Sequence, residues 1–193
     1  MSIRLRKSSA PKSWLVQVGF LALWFVAIAI AVAASPAGTW LDVPFIVQPE
    51  NGCGAASAAM VMQYWDNDLH RVPTARSSVE TIQQALYSKQ AKGIFESALV
   101  KYFEDSGYRA FAIRGEWQDL QENIAKGRPL IVSLAPAGMH RPLHYVVVAG
   151  MEADGSSVFV NDPARQKLLR VARPDFEKEW DGAGDWTLLA LPN

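Results

Sequence analysis

Gln48-Pro49-Glu50-Asn51-Gly52-Cys53-Gly54-Ala55-Ala56-Ser57 holds the one cysteine of the chain, set between two glycines. Residues 55–65 are small or apolar and free of proline, which predicts a helix running to about Trp65 with Cys53 at or just inside its N-terminus. The unpaired N–H groups and positive dipole end of such a helix favour a thiolate over a thiol. Gly52 and Gly54 are expected to let a substrate backbone come close to the sulfur. Gln48, a little upstream, is placed to offer a side-chain N–H to the same point. A lone cysteine in an apolar helix is ordinarily a small core residue. A thiolate, an amide donor and a free helix end make half of an acyl-transfer site.

The other half lies near the C-terminus. Residues 143–149 and 158–161 read as strands, joined through Asp154-Gly155, a strong hairpin signal. His144 opens the first strand and Asp162 closes the second, so a hairpin sets them side by side. A carboxylate there holds an imidazole in one tautomer and supports its charged form. Asn161 is the alternative partner, because adjacent strand residues point to opposite faces and one of the pair alone can meet His144. The bland readings are a strand-end histidine bonded to a turn carbonyl and an aspartate that starts a turn before proline. If the hairpin packs on the helix start, the roles are Cys53 as nucleophile, His144 as base and acid, Asp162 as orienter, and Gln48 with the Cys53 N–H as oxyanion donors. His140 and His144 have metal-ligand spacing for a helix, but Pro142 lies between them and strand follows, so no metal and no cofactor is expected. His70 falls in a polar loop.

Working outward, residues 41–47 read as a short strand or extended arm, with Pro44 pointing to an edge. Helices are predicted over 78–88, over 95–105 with Phe95, Leu99, Tyr102 and Phe103 on one face, over 117–126, and over 174–180. Strands are predicted over 108–113, 129–134, 167–171 and 186–191. Helices lead and strands follow, an α+β order with one domain over residues 41–193. Before it, residues 1–13 carry Arg4, Arg6, Lys7 and Lys12 and no acid, and residues 14–34 are uncharged and almost wholly apolar. At about 1.5 Å per residue that run reaches about 30 Å, a hydrocarbon core's thickness. A membrane anchor with its basic end inside is expected for residues 1–34, with a cleaved signal peptide, suggested by Ala31-Val32-Ala33, as the alternative. Both place the domain outside the cytoplasm, periplasmic or extracellular, after a linker at 35–40. Lys plus Arg and Asp plus Glu number 19 each, which gives no electrostatic case for nucleic acid. A single cysteine excludes an intrachain disulfide framework.

Val43-Pro44-Phe45, Gln48 with Gly52-Cys53-Gly54-Ala55, residues 143–148 and Val160-Asn161-Asp162-Pro163 together resemble papain-like cysteine peptidases, in particular the bacteriocin-processing, double-glycine-leader peptidases and their stand-alone relatives. The resemblance covers roughly residues 41–190. It implies a papain-like fold with the nucleophile helix packed on an antiparallel sheet. The family's oxyanion glutamine, nucleophile cysteine, base histidine and orienting aspartate fall on Gln48, Cys53, His144 and Asp162. It implies a peptide or protein substrate and, as a partner, a peptide exporter. Leader-processing members front a transporter with membrane and nucleotide-binding domains, and no phosphate-binding glycine-rich loop occurs in this sequence. The expected activity is peptide-bond hydrolysis. The alternatives are an acyltransferase using the same thioester and a non-catalytic peptide-binding module.

Overall fold

The computed structural model describes residues 38–136 and 142–193; the expected anchor at 14–34, the first half of the linker and His140 lie outside them. The sheet begins at β1 (Thr39–Trp40), within the stretch read as linker, and residues 41–49 follow without regular structure. The 41–47 segment is therefore an arm and not a strand. It is tied down singly, Leu41 N–H donating to the Ala149 carbonyl at 2.7 Å and Gln48 N–H to Pro163 at 3.0 Å. Pro44 has no N–H to contribute to a ladder.

Helix α1 (Cys53–Asp68) buries Gly54 to Met62 without a break. Ala55, Ala56, Ala58 and Ala59 let it lie close to its neighbours, and an all-round apolar surface is what a core helix requires. Trp65 Nε1 donates to the Ala190 carbonyl at 2.9 Å, fixing its far end. α2 (Val79–Leu86) is capped by Ser78, whose hydroxyl accepts the Thr81 N–H. α3 (Glu96–Asp105) buries Leu99 and Phe103. Phe95 departs from the expected face: it is the N-cap and is 48% exposed. Its backbone is extended there, so its side chain leaves the helical stripe.

After β2 (Tyr108–Arg114), α4 (Trp117–Ala125) opens with a Glu116–Asp119 capping box. Then come β3 (Leu130–Leu134), β4 (His144–Met151), β5 (Ser157–Asp162), β6 (Gln166–Ala172), α5 (Arg173–Asp181) and β7 (Trp186–Pro192). The strands form one antiparallel sheet in the order β2-β7-β3-β4-β5-β6, with β1 beside the end of β4. Tyr145 packs against Gly54, so α1 lies on the Tyr145 face. Phe176 of α5 shares a cavity with Val146 and Val160, and Trp117 of α4 meets Phe176 edge to face, so those helices cover the other side. The result is an α+β layering with the cysteine helix on an antiparallel sheet. In the β4–β5 hairpin, Val148 opposes Val160 but Gly150 opposes Phe159, so Ala149 is an extra residue, a β-bulge.

Candidate active site

Three elements deliver three side chains to one end of the sheet. Cys53 is the first residue of α1, and the turn before it is closed by the Gly52 N–H donating to Pro49 at 2.9 Å, with Asn51 at φ 53°. His144 is the first residue of β4 and Asp162 the last of β5. The bulge decides which of Asn161 and Asp162 meets the histidine. Opposed residues share a face, and so do alternate residues along a strand. Val160 opposes Val148, so Asp162 lies on the face of Val148, Val146 and His144. Had the register at the turn, Gly150 with Phe159, run on unbroken, Asn161 would have faced His144 instead.

His144 Nε2 donates to Asp162 Oδ1 at 2.8 Å, leaving Nδ1 for the sulfur. Asp162 is 6% exposed and also accepts the Ala164 N–H at 3.0 Å. Burial raises the Cys53 pKa, but the hydrogen bond with His144, the Tyr145 N–H, the imidazolium charge and the Gly54 N–H outweigh it and hold the thiol below its ordinary value. Burial works against the charged imidazole too. The hydrogen bonds to Asp162 and Cys53, and then their charges, overcome it and lift His144 to about 9. Burial likewise raises Asp162, and the His144 hydrogen bond and charge, the Ala164 N–H and Arg165 bring it below the usual carboxylate range. The three shifts all run in the direction that favours a charged imidazole beside an ionised thiol and carboxylate.

Cys53 and His144 lie in a cleft of about 700 Å³ that Gln48 also lines. The arm holds Gln48 there through residues next to Asp162. Asn161, fully buried, donates from Nδ2 to the Val43 carbonyl at 3.2 Å and accepts the Leu168 N–H at 2.9 Å, while the Pro163 carbonyl takes the Gln48 N–H. Asn161 is thus a clamp for the arm, not an orienter of His144. Cys53's own N–H, at the first helical position, has no intrahelical acceptor.

The glycines beside Cys53 have a different cause from the one expected. Both are buried. A Cβ on Gly52 would sit 2.6 Å from the Pro49 ring, and one on Gly54 would sit 3.2 Å from both Ile94 and Tyr145. They admit the protein's own walls rather than a substrate backbone. Sequence reasoning missed the wall itself, which runs from Ala91 to Ser97 and includes Phe95 and Glu96, and it missed Tyr145, whose hydroxyl donates to the Ile94 carbonyl at 3.1 Å. Among the described residues no group of His, Cys, Asp and Glu is arranged to hold a metal, and no helix is long and apolar enough to cross a membrane.

A half-buried histidine held by a carboxylate, a thiol at a helix start and an antiparallel sheet beneath define the papain-like class of cysteine-peptidase folds. The Peptidase C39 like family matches residues 40–187, and the chain belongs to that family. Solved structures agree at the level of fold. A C39-like peptidase from Bacillus anthracis is 18% identical with a TM-score of 0.64, covering 82% of this chain and 99% of that one. The peptidase domain of Streptococcus ComA, a bi-functional ABC transporter involved in quorum sensing, is 19% identical with a TM-score of 0.61, covering 78% and 99%. A double glycine motif protease from an AMS/PCAT transporter, in complex with its leader peptide, is 23% identical with a TM-score of 0.59, covering 82% and 100%. A search of curated proteins finds no match.

Proposed function

We propose that this chain is a cysteine peptidase that hydrolyses peptide bonds with Cys53 as nucleophile, His144 as acid and base, Asp162 as orienter and Gln48 as oxyanion donor. The observation that carries the reading is the 2.8 Å His144–Asp162 hydrogen bond on an imidazole that lines one cleft with the Cys53 thiol at a helix start. The thiolate attacks the carbonyl carbon, and the oxyanion that forms takes hydrogen bonds from the Gln48 side-chain N–H and the Cys53 N–H. Collapse breaks the C–N bond, and the leaving amine takes the imidazolium proton. Water then attacks the thioester while His144 Nδ1 accepts its proton, releasing the acid and restoring the thiolate. The substrate is a peptide or protein segment bound in the cleft, a reading supported by the double glycine motif protease solved in complex with a leader peptide, and a peptide exporter is the corresponding partner.

Mass spectrometry of peptide mixtures incubated with the wild type and with Cys53→Ala tests this. Cleavage is expected with the wild type alone. Product containing an added amine in place of water would reassign the chain as an acyltransferase, and a thiol no more reactive than free cysteine would reassign it as a binding module.

Residues 14–34 are proposed to anchor the chain, with 1–13 inside and the domain at 41–193 outside, as their apolar length and basic flank support. N-terminal sequencing of the mature protein and a membrane-impermeant thiol label that reaches the periplasm test this. An intact N-terminus with Cys53 labelled on unlysed cells is expected. A mature chain starting near Ala34 refutes the anchor, and labelling only after lysis refutes export.

A further inference from the structure

One carboxylate in the cleft is left without work by the hydrolytic reading. Glu96, the first residue of α3, lines the cleft with Cys53, Phe95, Leu143 and Tyr145. Burial raises its pKa, and nothing offsets that effect. Among the described residues it makes no ion pair and no side-chain hydrogen bond. Its charge nevertheless reaches the site: after burial, Glu96 and then Cys53 push the Tyr145 phenol upward, so Tyr145 feels both. Lys92 lines the same cleft but is exposed and makes no ion pair with Glu96.

A partly dehydrated carboxylate without a partner is unfavourable unless something cationic completes it. The walls around it are apolar and open, Phe95 being 48% and Leu143 44% exposed. An apolar channel with a carboxylate in its lining matches a side chain that has an aliphatic stem and a cationic head. Resting on the peptidase reading, we propose that Glu96 is a specificity-determining residue: it selects substrates that present an ammonium or guanidinium beside the attacked bond, with the stem lying against Phe95 and Leu143. The cation has two sources, a lysine or arginine side chain or the free amino terminus of a peptide. The apolar walls favour the side chain.

The test uses N-acetylated peptides carrying lysine, norleucine or glutamate at each position in turn, and unblocked peptides with norleucine there. Each sequence is also made as a chloromethyl ketone, so that capture of Cys53 is read independently of hydrolysis. Wild-type protein is expected to prefer the lysine peptide over norleucine about tenfold, about 1.4 kcal/mol, at one position. Glu96→Gln, nearly isosteric, brings the ratio to unity, Glu96→Lys turns the preference to glutamate, and Lys89→Gln, an exposed lysine outside the cleft lining, leaves the ratio in place. A preference among unblocked peptides alone assigns Glu96 to the amino terminus. A wild-type ratio near unity, or one that survives Glu96→Gln, overturns the proposal while cleavage stands. A lysine preference in capture with no hydrolysis of any peptide keeps the cation site and overturns the hydrolytic reading.

Discussion

Replacing Asp162 by asparagine separates the charge of the site from its shape. Asparagine fills the same space and its carbonyl oxygen can keep the Ala164 N–H, so the fold is expected to survive. The charge behind His144 is lost. In the native chain that imidazole is lifted from 6.5 to about 9 against its own burial, and the hydrogen bond to Asp162 is the largest of the effects that raise it. At 1.36 kcal/mol per unit, the lift corresponds to about 3 kcal/mol in favour of the imidazolium. Cys53 supplies two of the four raising effects and stays, so losing the Asp162 share costs roughly one to two decades at 1.4 kcal/mol per decade, and kcat/KM near neutral pH is expected to fall about ten- to a hundredfold. The pH profile carries the sign. In the wild type, activity rises with pH as Cys53 ionises through its lowered pKa and falls as the imidazolium deprotonates at about 9. In Asp162→Asn the alkaline limb moves down toward 6.5, and the thiolate forms at higher pH. Rates of peptide cleavage and of iodoacetamide alkylation against pH, with a thermal melt as the folding control, measure all of this. An alkaline limb still near 9, with kcat/KM within about threefold of wild type, refutes the reasoning.

Gln48→Ala is expected to lower kcat about 10²–10³-fold with an unchanged melt, because the backbone bond to Pro163 remains; steady-state kinetics beside calorimetry checks it. Gly54→Ala pushes a methyl 3.2 Å from both Ile94 and Tyr145, and overpacking of about 1–3 kcal/mol should appear in urea unfolding together with a raised KM from the displaced wall. Asn161→Ala strands the Val43 carbonyl and the Leu168 N–H, at about 1–3 kcal/mol for each group left unpaired in the interior, again read by urea unfolding.

What sequence reasoning reached and what it missed follow from the range of each signal. The helix start at Cys53 and the turn at Asp154-Gly155 are written in adjacent residues, and each stands where those residues place it. His144 and Asp162 meet because a short hairpin fixes its own ends. The choice between Asn161 and Asp162 was open, because it depends on a single extra residue at Ala149 that no local pattern announces. The arm was ambiguous for the same kind of reason: its hydrogen bonds go to Ala149 and Pro163, far along the chain. Phe95 read as the first residue of a helix's apolar face and Glu96 was not singled out, since only tertiary packing sets that helix start against Tyr145. Gly52 and Gly54 were seen, but Pro49, Ile94 and Tyr145, which require them, were not connected to them.

The corner Asn161-Asp162-Pro163 has a consequence for how this molecule comes apart. Three neighbouring residues hold the arm at Val43, the imidazole at His144 and the backbone of Gln48. Local opening of that corner releases all three together, so the working site and its frame make up one cooperative unit. The Gln48, Ala164 and Leu168 amides should then exchange hydrogen for deuterium with a common opening free energy, and activity should vanish in that same step. Such a chain is expected to have no loosened form with its site half assembled. Opening the corner takes from Cys53 the imidazole that lowers its pKa and leaves only the Tyr145 and Gly54 N–H groups beside the sulfur.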